Sequence, residues 1–334
     1  EMALNDLWRP DFFPIDAIYW DDDLLNRNGS NEVTLGTVTS QLGTSSTRWS
    51  SLYKSIARAT KVIQALDNGS ATGISESKVN QYKGEAYFML GFAYCELTAY
   101  YGDCVLNKGM TLDEAYVATR SPKNEVLAYA FECLDKAAEY LPNSYKGQQR
   151  PTKGAALGFK ARFALFHEDW QTAVDAAQKC MDLGVYKLHD NYREMFQATS
   201  SPEFMFYFKG DLTLKKGYGF MENVRDFVIR KIGGHCNQSP SLELFCSYTC
   251  TDGLPIDKSP LYNPKDPFAN RDPRLAMTIQ PFKTKSSADY ADYEPSKKDG
   301  TFPEKYPDYI TLGYDMDRDP LRPYIKAEAL TTRA

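Results

Sequence analysis

Gly84-Glu-Ala-Tyr-Phe-Met-Leu-Gly-Phe-Ala-Tyr-Cys-Glu-Leu-Thr-Ala-Tyr-Tyr-Gly-Asp103 decides the fold. Ala86, Leu90, Ala93, Leu97 and Tyr101 recur at helical spacing, and Phe88, Phe92, Cys95 and Ala99 do so on a second face. From Ala86 to Tyr101 only Glu96 and Thr98 are plainly polar. A helix that apolar has to be covered on most sides, which predicts the central helix of a bundle. Gly84 and Gly91 disfavour a helix interior and imply close approach of a neighbouring helix. Gly102 stands where the helix ends.

Working outward, Trp49, Leu52, Ile56, Ile63 and Leu66 mark an earlier helix that stops near Asn68-Gly69, and Thr34 to Thr47 reads as loop. On the other side Ser121 is a helix cap with Pro122 at the first helical position. Val126, Ala130, Leu134, Ala137 and Leu141 carry that helix to Pro142. Arg150 to Ala156 opens the next helix, with small residues at Gly158, Ala161 and Ala164. Asp169-Trp170 turns the chain, and Ala173, Ala177 and Cys180 form a return helix stopped by Gly184. Thr152 to Val185 spans 34 positions, the tetratricopeptide period. The expected fold class is therefore mainly α: a tetratricopeptide-like scaffold of helical hairpins with an irregular, loop-rich cap containing short strands. Residues 1–48 form a loop-rich N-terminal segment, 49–200 the scaffold, 201–320 the cap and 321–334 the start of a further scaffold helix. Within the cap Phe204-Met-Phe-Tyr-Phe208 reads as a buried strand.

The 334 residues are 43% hydrophobic and 25% charged, so a packed globular fold is expected. The net charge of −5 argues against nucleic acid or an anionic membrane as the main partner. The 7 cysteines follow no disulfide framework and do not fix the redox compartment. No apolar run is long enough to span a bilayer. The opening Glu1-Met2-Ala3 reads as an internal start, as in a mature or trimmed chain. With 23 Tyr, 18 Phe and 4 Trp, many outside the helical patterns, the chain has aromatic faces to spare for flat ligands such as sugar rings.

Several motifs, in order, resemble the SusD/RagB family. They are Trp49-Ser-Ser-Leu-Tyr-Lys-Ser-Ile56, Gly84-Glu85-Ala86 with Tyr94, Leu97 and Tyr101-Gly102-Asp103, Asp252-Gly253, Asn270-Arg-Asp-Pro-Arg-Leu275 and Arg322 to Leu330. Thr60 stands where the family has Asn, and Cys104-Val-Leu where it has Val-Pro-Leu. A later Glu-Arg-Arg-x-Glu-Leu helix is absent, so either the chain is a fragment or the resemblance ends there. The resemblance implies a non-enzymatic, surface-exposed lipoprotein of the outer membrane. Such a protein captures oligosaccharide or polysaccharide for a SusC-like TonB-dependent transporter and touches the membrane only through a lipid anchor outside this chain.

There is no phosphate loop, no Gly-x-Gly-x-x-Gly, no Gly-x-Ser-x-Gly and no His-Glu-x-x-His. His167, His189 and His235 are far apart; His167 ends a helix, where a cation suits the dipole. His235, Cys236, Cys246 and Cys250 match no zinc spacing. Asp315-x-Asp317-x-Asp319 starts like a calcium loop, but Pro320 and Lys326 occupy the positions of its Gly and Glu. No catalytic residue, metal or cofactor is assigned. Sugar binding asks for an aromatic face over the ring and hydrogen-bonding side chains beside it. Tyr19, Trp20, Asp23, Asn26 and Arg27 provide both within a loop-like segment, although Trp20 reads equally well as a core residue. Tyr218, Tyr290 and Tyr293 are further loop candidates. Asp272-Pro273 reads as a turn, with Arg271 and Arg274 in ion pairs. The alternatives are a tetratricopeptide adaptor that binds peptides in a polar groove and a glycoside hydrolase with two facing carboxylates.

Overall fold

In the computed structural model the described residues are 22–26, 32–33, 35–39, 41–69, 72–145, 150–196, 198–207, 238–264, 266–279, 281, 309–310 and 325–326. They fall into two compact units. One holds Thr39–Asp190 and the described residues after 197 up to 207; the other holds those up to Val38, those from 191 to 196 and those from 238 onward.

The first unit is helical: α1 (Gly43–Asp67), α2 (Glu76–Tyr101), α3 (Leu112–Val117), α4 (Lys123–Tyr140), α5 (Lys153–Phe166) and α6 (Trp170–Asp182). Neighbours in sequence pack as neighbours in space, α1 on α2, α2 on α4, α4 on α5 and α5 on α6. The result is the expected run of helical hairpins, with α2 at its centre. Phe88, Leu90, Tyr94 and Leu97 of α2 are buried against Leu52 and Ile56 of α1 and Val126 and Leu134 of α4. Phe159 of α5 sets its ring edge-on to Phe88 at 5.7 Å and to Phe92 at 4.9 Å.

Gly91 is what lets α4 approach. A Cβ there would lie 2.6 Å from Leu134 Cγ and 2.9 Å from the Ala130 carbonyl oxygen. Gly102 ends α2 with φ +68°, and its N–H donates to the Thr98 carbonyl at 3.2 Å. The two polar residues of the buried stretch both reach other helices. Glu96 pairs with Arg48 of α1, and Thr98 Oγ1 lies 3.3 Å from Nε2 of His167, the residue capping α5. Desolvation raises the Glu96 pKa, opposed by the Arg48 charge.

Three expectations are corrected in this unit. Helix α1 begins at Gly43, inside the segment read as loop. Its first turns are too polar to show an apolar stripe, yet Arg48 is buried there and the Ser45 carbonyl accepts from Tyr101 Oη at 2.6 Å. Ser121 does not cap α4. Its backbone pairs with Cys104, and the Lys123 N–H donates instead to Asp103 Oδ1 at 2.8 Å. The described part of the predicted strand, Phe204 to Tyr207, is not a strand, for it follows a turn at Ser201-Pro202 and no strand among the described residues pairs with it. Phe206 packs edge-on against Phe88 at 5.4 Å, so the apolar reading of this stretch holds where the strand reading fails. Helix α3 has no apolar stripe to mark it in the sequence, and Thr111 and Glu114 open it with a complete capping box.

The second unit contains β1 (Leu24–Asn26), α7 (Tyr192–Met195), β2 (Gln238–Pro240), α8 (Leu242–Ser247), α9 (Pro273–Thr278), β3 (Tyr309–Ile310) and β4 (Ile325–Lys326). β1 pairs antiparallel with β2 in the register Leu24–Pro240, Leu25–Ser239 and Asn26–Gln238, and β3 pairs antiparallel with β4. Ile325 and Lys326 are thus extended, within the span read as the start of a scaffold helix; the residues on both sides of them lie outside the described ones. A small core of Phe245, Cys250, Ile256, Leu275 and Ile279 holds α8 and α9. No described helix is long and apolar enough to cross a membrane.

Candidate functional site

Ser241 organises the chain around the N-terminal candidates. Its hydroxyl accepts from the Leu244 N–H at 2.9 Å and so caps α8. The same residue reaches back across the ribbon. Its N–H donates to the Asp23 carbonyl at 2.8 Å and its hydroxyl to the Asp22 carbonyl. With the three β1–β2 residue pairs, these bonds fix the backbone from Asp22 to Asn26. The Asp23 side chain is exposed. Of the sequence-derived site residues, Asp23 is therefore placed in full and Asn26 by its backbone. Tyr19, Trp20, Arg27, Tyr218, Tyr290 and Tyr293 lie outside the described residues, as do His235, Cys236 and the Asp315–Asp319 cluster.

The Asn270 to Leu275 motif is a fastener. Arg271 is buried and donates to three carbonyls, Phe245 at 2.7 Å, Tyr248 at 2.8 Å and Pro267 at 3.0 Å. Its guanidinium also lies over the Phe245 ring at 4.7 Å and the Tyr262 ring at 5.6 Å. Burial lowers the Arg271 pKa and lifts that of Tyr262 to about 12. The expected ion pair of Arg271 is thus replaced by carbonyl bonds, while Arg274 does pair with Asp272, at 2.5 Å. Asp272 also caps α9. Asn270 takes φ +56°, a conformation Asn tolerates better than most residues. The Asp252 carboxylate accepts from the Leu254 N–H at 3.0 Å and from Ser259 Oγ at 2.8 Å, closing the Asp252-Gly253 turn. Both motifs spend their polar groups on backbone atoms and on nearby side chains, Arg274 on Asp272 and Asp252 on Ser259.

Sequence reading missed an aromatic pair in this unit. Tyr192 and Phe196 flank the single turn of α7 with ring centroids 5.2 Å apart, and Phe196 is 69% exposed. Asn191 caps that turn and donates from Nδ2 to Glu194 Oε1 at 3.1 Å, which sets amide and carboxylate groups beside the rings. Aromatics at i and i+4 normally signal a core stripe; the shortness of α7 puts these on the surface. The signal that could have found them is polar Asp190-Asn191 just ahead of the pair.

The described residues offer little else chemically. No group of three or more His, Cys, Asp or Glu among them could hold a metal ion. Cys250 is a buried free thiol. Burial and the nearby Lys123 charge lower the His167 pKa, so the site favours neutral imidazole over the dipole-supporting cation expected from sequence.

The comparisons agree with this architecture. Residues 18–165 match a SusD-like family model described as starch-binding and associating with the outer membrane. Over that span the chain is similar to SusD-like proteins. A curated relative, SusD-like protein P2 of Formosa agariphila, is 27% identical over 203 residues, covering 58% of this chain and 39% of its own. A SusD-like carbohydrate-binding protein of Bacteroides fragilis superposes with a TM-score of 0.73 at 24% identity, over 88% of this chain and 61% of the other. A second Bacteroides fragilis SusD-like protein gives 0.68 at 20% identity, over 89% and 65%. At these identities the structures establish the fold, mainly helical with short strands. The chain spans 39% of that curated relative and 61% and 65% of the two solved chains.

Proposed function

We propose that this SusD-like chain is a non-enzymatic glycan-binding protein of the cell surface. It captures oligosaccharide or polysaccharide for a partner TonB-dependent outer-membrane transporter, and a lipid anchor outside this chain holds it at the outer membrane. The family match over residues 18–165 carries this reading, because that span includes both the central scaffold helix and the N-terminal aromatic segment. The scaffold of residues 49–200 supplies rigidity, and the segments 1–48 and 201–320 supply the ligand site. There Tyr19 and Trp20 stack on a pyranose ring while Asp23, Asn26 and Arg27 bind its hydroxyls. The β1–β2 pairing supports this assignment, since it anchors the backbone on which Asp23 and Asn26 stand. Tyr218, Tyr290 and Tyr293 extend the site, and the exposed Tyr192–Phe196 pair adds a second stacking face.

Affinity electrophoresis of the whole chain against a polysaccharide panel tests the proposal. Laminarin is a natural first member, because a solved SusD-like protein with 18% identity to this chain is described as laminarin-binding. One glycan is expected to retard the chain without release of reducing sugar. Trp20→Ala is expected to weaken retardation at least about tenfold, the scale of a lost stacking contact of ~1.4 kcal/mol. Loss in Tyr192→Ala instead would move the site to α7. Released sugar would convert the reading to a hydrolase, and no retardation by any glycan would end it.

A further inference from the structure

Arg271 carries a charge into the small core of the second unit, and no acid answers it. The residue is 4% exposed, and no Asp or Glu among the described residues forms an ion pair with it. Backbone carbonyls take up its terminal nitrogens: Nη1 donates to Pro267, and Nη2 donates to both Phe245 and Tyr248. Those bonds pass Nε by. It is buried and has no hydrogen-bond partner among the described residues. The phenol oxygen of Tyr262 is likewise buried and unpartnered among them, and the Tyr262 ring centroid lies 5.6 Å from the Arg271 guanidinium carbon. The Phe245 ring covers the same guanidinium at 4.7 Å. Two buried polar groups on neighbouring side chains thus lack an acceptor, which native folds leave so only with a reason. A buried cation without a counter-charge is costlier still.

The geometry points to Arg271 Nε–H and Tyr262 Oη–H as a binding site for a monatomic anion, a halide such as chloride. The chemistry of the two donors selects that ligand. Nε–H can only donate and the phenol has a hydrogen to donate, so a group that satisfies both must accept twice. A water molecule could do so, but it would bring two hydrogens of its own, and the Phe245, Tyr248 and Pro267 carbonyls already accept from Arg271. A halide brings no hydrogen and cancels the buried charge. Sulfate, phosphate and carboxylate groups prefer two parallel N–H donors of the guanidinium fork. Here Nη2 spends both of its hydrogens on carbonyls, which leaves the adjacent Nε–H alone and suits an anion of one atom. Both orphan atoms are already shielded from solvent, so a group packed against the outside of the unit would not reach them. The site is independent of the glycan proposal, which concerns other residues, and it ties the stability of the second unit to halide concentration.

Crystals of the full chain grown in sodium bromide test the site directly. An anomalous difference peak is expected within hydrogen-bonding distance of both Arg271 Nε and Tyr262 Oη. In solution, a ligand held only by the folded state stabilises it as its concentration rises. Replacing gluconate by chloride at constant ionic strength is therefore expected to slow hydrogen exchange in peptides covering 241–279 and to leave those covering 84–101 unchanged. Tyr262→Phe keeps the ring and removes the hydroxyl donor. It should raise the chloride concentration needed for half the effect by at least about tenfold, the scale of one lost hydrogen bond to a charged group. A map with no anomalous peak at the site, or with only a water there, overturns the assignment. So does chloride slowing exchange equally in both regions, or an unchanged chloride response in Tyr262→Phe. A bromide peak with no chloride effect in solution would be an adventitious ion only, and would overturn it as well. If Tyr262→Phe fails to fold, the wild-type map and the wild-type exchange decide between the same outcomes.

Discussion

Gly91 is the residue on which the helical scaffold closes. The volume a side chain would need there is filled by Leu134 and by the Ala130 carbonyl of α4, and a carbonyl oxygen cannot rotate away as a side chain can. Gly91→Ala is therefore expected to destabilise the helical unit by about 1–3 kcal/mol, the usual cost of overpacking, despite the better helix propensity of alanine. At Gly84 the nearest atoms belong to the Leu141 and Tyr140 side chains, so Gly84→Ala should cost less. Thermal melts of the two variants beside wild type check the ranking, and a neutral Gly91→Ala would refute it. Both glycines were conspicuous in the sequence because nothing else about the stretch disfavours a helix. Arg271 was not legible in the same way. Its charge suggested an acidic partner, but its three acceptors are backbone carbonyls, which every residue carries and no sequence pattern marks. Tyr192 and Phe196 escaped for a related reason, since helical spacing says which side chains share a face but not whether that face is covered.

At the scale of elements, the long apolar helices were readable because burial writes its period into the sequence, and α2, α4, α5 and α6 stand where that period placed them. The starts were harder to read, since caps depend on whichever oxygen comes within reach. Ser121-Pro122 has the composition of a helix start, yet the oxygen that serves α4 comes from Asp103, 20 residues earlier in the chain. The Cys104–Ser121 backbone pairing carries Asp103 to that position by holding the two ends of the connection together. Asp103→Ala should accordingly cost about 1 kcal/mol, the typical value of a lost N-cap, and Ser121→Ala close to nothing, because Ser121 acts through its backbone. Chemical denaturation of both variants measures the difference. A larger loss in Ser121→Ala would restore the reading from local sequence. The strand expected around Phe204 failed for a reason on the same scale: an apolar pentapeptide has no intrinsic ladder, and only a neighbouring strand would have made it one.

At the scale of the molecule the described residues gather into two cores rather than one. Phe88, Tyr94, Leu97 and Leu134 centre the helical unit, whereas Phe245, Cys250 and Leu275 centre the second, and the two clusters share no residue. The larger was legible from periodicity. The smaller was not, because its apolar residues are scattered among turns and are gathered by Arg271 and the Asp252 turn rather than by a repeat. Each cluster lies within one compact unit, so local cooperativity is the expectation to test. Leu134 and Leu275 are each 1% exposed, and truncating such a leucine to alanine costs about 2–5 kcal/mol. Hydrogen exchange read by mass spectrometry shows where that loss is felt. Leu275→Ala is expected to speed exchange in peptides covering 241–279 and to leave those covering 84–101 at wild-type rates. Leu134→Ala should do the reverse. Parallel acceleration of both regions by either substitution would mean that the cores unfold as one, and stability would then have to be assigned to the whole chain. Separate responses would make the second unit a region that can loosen around β1 and α8 while the helical scaffold stays folded.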